Sequence, residues 1–180
     1  MFGLIRGLFP GVVVNSLEYD SAKGKGLISL YDIDALPAYI FGPEVNNTKR
    51  YDEFKQALIK KKGYYLIRNS ASGANYYFKR QKSPNRLELF TLSGETPDLD
   101  KSLAEVKDLF KNKIHFVKTS VDEDKKENLK NELGITTYPT FLVNNQLKFG
   151  GIQPPETIKN KFCELNQLDE CSTTLSTVIP

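Results

Sequence analysis

A chain of 180 residues holds one large domain or two small ones. Its composition, 39% apolar, 11% aromatic and 26% charged, supports a hydrophobic core without metal or many disulfides, and no stretch approaches the ~20 apolar residues of a membrane span. The net charge of +3 is unevenly spread: Lys49 to Arg86 holds eleven Lys/Arg against two acids, about +9, and leaves about −6 for the remainder.

Met1 to Val14 is apolar but interrupted by Arg6, Pro10 and three glycines, with no clear small-residue cleavage site. It reads as a helix followed by a strand at Val12-Val13-Val14, a degenerate signal segment being the alternative. Tyr51, Phe54 and Leu58 fall at i, i+3, i+7 and predict a helix over 51–61. Lys60-Lys61-Lys62-Gly63 would close it, with cations at its negative end and glycine just beyond. Tyr64 to Arg68 and Tyr76 to Arg80 read as two strands of a hairpin, joined by the Ser/Gly/Ala-rich turn Asn69 to Asn75. Ser83-Pro84-Asn85 marks a boundary, which divides the chain into 1–83 and 84–171.

Arg86 to Leu92 alternates as a strand does, and Leu99, Leu103, Val106 and Phe110 mark an amphipathic helix. Ile114-His115-Phe116-Val117 is a further strand, and Asp124 to Leu133 a charged helix ending at Gly134, where a left-handed residue is accommodated cheaply. Pro139 precedes the apolar run Thr140 to Val143, a position at which it removes no hydrogen bond from the middle of a strand. Gln146 to Phe149 supplies a hairpin partner. Pro154-Pro155-Glu156 opens a last helix carrying Ile158, Phe162 and Leu165. The Ser/Thr-rich residues 172–180 read as a disordered tail.

Residues 12–41 repeat part of this pattern at a constant offset of 102. Val12-Val13-Val14 falls on Ile114-His115-Phe116, Asp20 on Asp122, Lys23 on Lys125, Leu27 on Leu129, Ile33 on Ile135 and Pro37 on Pro139. The order β, α, β, α, β, β, α over 86–166 resembles the thioredoxin fold. Gly134-Ile135-Thr136-Thr137-Tyr138-Pro139-Thr140-Phe141-Leu142-Val143 looks like the cis-proline loop of that family. The resemblance implies an α/β protein with a central mixed β-sheet flanked by helices, in two units of which the first is incomplete. It also implies a cis Tyr138-Pro139 bond, preceded by a residue whose backbone pairs with an extended peptide.

Redox-active members of that family carry Cys-X-X-Cys at a helix N-terminus, where the dipole favours a thiolate. The matching place here reads Gly94-Glu95-Thr96-Pro97-Asp98, with Glu95 and Asp98 near the positions of the two cysteines. Without a thiolate, dithiol exchange cannot operate there. The two acids suit helix capping better than a cation site. The expected site is therefore a peptide-binding groove formed by Glu95, Thr96, Pro97, Tyr138 and Pro139, with no catalytic residue, metal or cofactor. The lone histidine, His115, lies in a strand pattern and reads as a packed or half-exposed side chain.

Cys163 and Cys171 are separated by a short turn that would bring the sulfurs within bonding reach. A structural disulfide is expected, with a displaced redox pair as the alternative, and it places the protein in an oxidising, extracytoplasmic compartment, periplasmic or secreted. Asn46-Asn47-Thr48 fits a glycosylation sequon. The basic, tyrosine-rich stretch from Lys60 to Lys82 raises single-stranded nucleic acid as a rival partner. It ranks below a protein or peptide partner, because half of those aromatics must face inward in a two-stranded sheet.

Overall fold

The computed structural model describes residues 2–92 and 96–179, and the chain divides into two compact units, 1–74 and 75–180. The division lies upstream of Ser83-Pro84. Residues 77–83 are bound to the second unit: Tyr77 N–H donates to Gln146 O at 2.8 Å and Ser83 N–H to Asn144 O at 3.0 Å. The proline there marks a turn within a unit.

In the first unit α1 (Phe2–Leu8) sets Ile5 against Val45, Leu58, Tyr65 and Ile67, with Phe9 in the same cluster. α2 (Ala22–Tyr31) starts at Ser21, whose hydroxyl accepts from Gly24 N–H at 3.0 Å, and ends at Asp32 in the left-handed conformation. β1 (Ile40–Phe41) is followed by a 3-10 turn over Pro43–Asn47 and by α3 (Tyr51–Phe54). The helix expected to reach residue 61 stops early. Leu58–Lys61 is strand β2, paired with β3 (Tyr64–Ile67) through Lys61 opposite Tyr64. Lys62 and Gly63 both take positive φ, 49° and 84°, which is the two-residue turn that matches strand twist. The lysine run with its glycine thus forms a hairpin corner. β3 also pairs with β1, giving the antiparallel order β1-β3-β2. Residues 69–75, read as a turn between hairpin strands, hold the short α4 (Asn69–Ser72).

The second unit carries the expected order. β4 (Arg86–Thr91), α5 (Pro97–Phe110), β5 (His115–Ser120), α6 (Glu123–Leu133), β6 (Thr140–Val143), β7 (Leu147–Gly150) and α7 (Pro155–Cys163) follow one another. The mixed sheet runs β5-β4-β6-β7, with β4 parallel to β5 and antiparallel to β6. Strand alternation puts Leu87, Leu89, Phe141 and Val143 on one face, where they meet Leu99, Leu103, Val106 and Phe110 of α5 and Ile158 and Phe162 of α7. Phe110 and Phe162 meet edge to face at 4.9 Å between centroids. Tyr76 to Arg80 does not form a strand beside β3. Tyr76 makes an isolated bridge to Leu147 instead, and the Tyr77 hydroxyl donates to Leu133 O.

Cys163 and Cys171 form a disulfide with Cα atoms 5.9 Å apart. The expected disordered tail is pinned. Glu156 accepts from Leu175 N–H at 2.6 Å, Glu105 accepts from Ser176 N–H at 2.9 Å, and the buried Lys159 pairs with Glu156 at 2.8 Å and donates to Thr173 O. These contacts join residues far apart in sequence, so local polarity alone gives the wrong reading. No helix of the described residues is long and apolar enough to cross a membrane.

Candidate peptide-binding site

Three chain segments meet at one end of the sheet of the second unit. Phe90 lies opposite Thr140 and Thr91 beside Ser120. The chain leaving β4, the chain leaving β5 and the chain entering β6 therefore emerge together. Thr96 and Pro97 lie on the first of these paths, and Tyr138 and Pro139 on the last. Glu95 lies outside the described residues.

α6 ends at Gly134, φ 58°, whose N–H donates to Lys130 O while Ile135 N–H donates to Leu129 O. This left-handed cap turns the chain into the loop 135–139. Ile135 is buried and anchors the loop, whereas Thr136 and Thr137 are exposed. The Tyr138-Pro139 bond is cis, and so is Leu36-Pro37 in the first unit.

Two carbonyls of the loop are used internally. Thr137 O accepts from the Thr140 hydroxyl at 2.6 Å, and Pro139 O accepts from Gly151 N–H at 2.9 Å. Gly150 packs against the same turn, since a Cβ there would stand 3.6 Å from Pro139 O and 3.5 Å from Thr140 Oγ1. The backbone N–H and C=O of Tyr138, like those of Thr136, make no hydrogen bond among the described residues. Its ring is half-buried, within electrostatic reach of Glu123 and Lys126 in the first turn and a half of α6. Burial raises the phenol's pKa above its ordinary value; Glu123 adds to that rise and Lys126 opposes it. The Tyr138 side chain is thus drawn toward the body, and its backbone is what the loop offers.

Across the sheet end, Thr96 is the N-cap residue of α5 and Pro97 its first helical residue, where a missing N–H costs nothing. The Thr96 side chain makes no capping bond, and its Oγ1 is buried without a partner among the described residues. Asp98 and Asp100 lie in the first turn, complementing the helix dipole, and Asp100 accepts from Lys118 Nζ at 2.8 Å.

The other sequence candidates are accounted for individually. His115 is exposed at the start of β5. Among the described residues no three His, Cys, Asp or Glu cluster at metal distance. Several cations of the basic stretch are engaged by protein oxygens. Lys61 donates to Tyr31 O and Asp32 O, Arg68 to Gln56 O, and Arg80 to the Asn145 side chain. Lys60 and Lys61 also project to opposite faces of β2. Sequence reasoning missed Lys148, whose ammonium donates to Leu133 O at 2.6 Å and Gly134 O at 3.2 Å, directly beneath the loop. The alternation of Leu147-Lys148-Phe149 placed it on the face opposite the main core, a signal that its charge disguised. No protein-family model, curated protein or solved structure matches the chain.

Proposed function

We propose that residues 75–180 form a thioredoxin-like module that binds an extended peptide and performs no thiol chemistry at its helix N-terminus, within an extracytoplasmic protein. The sheet order β5-β4-β6-β7 and the proline-led β6 support the fold. The two cysteines of the chain are joined to each other at the end of α7. A disulfide supports an oxidising compartment. The observation that carries the binding role is the unpaired Tyr138 backbone, a donor and an acceptor in a half-buried loop residue at a sheet end. Such a pair of groups suits main-chain pairing with an extended peptide.

The test is a fluorescence-polarisation screen of unstructured ten-residue peptides against the intact chain. Tyr138→Pro removes the N–H donor and should weaken a captured peptide about tenfold or more, because the peptide's acceptor is left unpaired. Tyr138→Ala keeps the backbone and should bind within about threefold. Equal binding by the wild type and Tyr138→Pro, with native circular dichroism, would remove this loop as the site.

A further inference from the structure

The 180 residues contain one Asn-X-Ser/Thr triplet, Asn46-Asn47-Thr48. It lies in the 3-10 turn Pro43–Asn47 and its C-cap, within the first unit. Val45 is the inward residue of that turn and packs with Ile5, Phe9, Leu58, Tyr65 and Ile67. At three residues per turn, the two asparagines that follow it point away from the core. Asn46, Asn47 and Thr48 are all exposed.

The fold draws on Thr48 and leaves Asn46 unused. Val45 O accepts from Thr48 N–H at 3.2 Å and from the Thr48 hydroxyl at 2.7 Å, which closes the turn. The Asn46 side chain makes no hydrogen bond among the described residues. Its carboxamide therefore neither caps a helix nor holds a turn, the usual structural reasons for asparagine in a loop. Asn144 shows the contrast: it is buried, and its amide donates to Leu165 O and to the Asn166 side chain. A second observation concerns the compartment. Cys163 and Cys171 are joined, and disulfides persist in the oxidising compartments reached by export. Glycans are attached to exposed asparagines of such triplets in exported proteins.

We infer that Asn46 carries an N-linked glycan, transferred from a polyprenyl diphosphate-linked oligosaccharide. The inference rests on the extracytoplasmic placement proposed for this protein and is independent of the Tyr138 loop. In the transfer Asn46 Nδ2 bonds to the anomeric carbon of the oligosaccharide. The bond from that carbon to the diphosphate oxygen breaks, and the diphosphate leaves with the electron pair. The amide gives up one proton and keeps the other. With Val45 holding the turn on the core, the sugar stands in solvent and displaces no packed side chain.

The test is export of the 180-residue chain behind a cleavable secretory leader in a eukaryotic host. Protein captured from cells and medium together is weighed intact and unreduced, before and after peptide N-glycosidase. Most of the leader-free chain should carry one glycan, which the glycosidase removes. Asn46→Gln should lose it entirely, whereas Asn47→Gln, which keeps the triplet, should retain it. Thr48→Ser keeps both the triplet and the turn-closing hydroxyl and should also retain it. The mass readout needs no folded variant. Free-thiol labelling of the same samples separates the glycan from the compartment. A leader-free wild-type chain without glycan overturns the inference; with its disulfide formed, the extracytoplasmic reading survives, and with free thiols that reading falls too. A glycosylated chain with free thiols upholds Asn46 and overturns the compartment reading alone. A glycan that persists in Asn46→Gln overturns the assignment.

Discussion

Lys148 shows how one side chain supports the candidate loop. Its ammonium reaches the last carbonyls of α6 and the Tyr77 hydroxyl, and lies 5.4 Å from the Tyr77 ring centroid. Burial lowers its pKa from 10.5 to about 8. The unfolded chain therefore binds more protons between these values, so stability rises with pH there, by at most about 1.4 kcal/mol per pH unit and less in practice because the side chain is only half-buried. Tyr31, Tyr39, Tyr51 and Tyr138 act in the opposite direction above pH 10, since burial raises their pKa values and the unfolded chain ionises first. Urea midpoints should accordingly increase between about pH 8 and about pH 9.5, and Lys148→Met should flatten that increase. An identical rise in the variant would assign it to another group.

At the scale of single elements, α2 is held by a close approach that α6 does not need. A Cβ on Gly24 would stand 2.1 Å from Glu18 O and 2.9 Å from Tyr19 O, whereas one on Gly26 would meet nothing within 4 Å. Gly26→Ala should therefore stabilise the chain by about 0.5–1 kcal/mol, the helix-propensity gain. Gly24→Ala should destabilise it by roughly 2 kcal/mol or more, because backbone must move. Thermal unfolding of both variants checks the pair, and destabilisation of equal size would contradict it. The elements of the second unit were legible because Leu99, Leu103, Val106 and Phe110 mark one helix face and Gly134 and Pro139 punctuate the loop. Tyr51, Phe54 and Leu58 misled for a physical reason: three apolar positions fit a helix face until a two-residue turn with positive φ follows. Val12-Val13-Val14 misled differently, since strand-forming residues form a strand only beside a neighbour.

Over the whole molecule, covalent and ionic ties converge on the end of α7. The Cys163–Cys171 disulfide closes a short loop, worth about 2–3 kcal/mol in the chain-entropy model. Lys159 and Glu156 fasten the segment beyond it, and Leu175 packs on the core. Unfolded, unreduced protein should show no free thiol, and the Cys163→Ser/Cys171→Ser variant should lose about 2–3 kcal/mol while retaining peptide binding. Loss of binding with the fold intact would tie the disulfide to function. The spacing of the two cysteines made the staple readable, whereas the seating of the tail depended on Glu105 and Glu156, whose roles appear only in three dimensions. The loop itself was legible through Gly134 and Pro139, whereas the unbonded Tyr138 backbone was not, because it depends on which neighbouring groups are already paired. Amide exchange at Tyr138, followed by NMR in the intact chain with and without a saturating captured peptide, tests the binding account most directly. The account predicts that the Tyr138 N–H slows by about tenfold or more when the peptide is bound, and an unchanged Tyr138 amide in the saturated complex would contradict it.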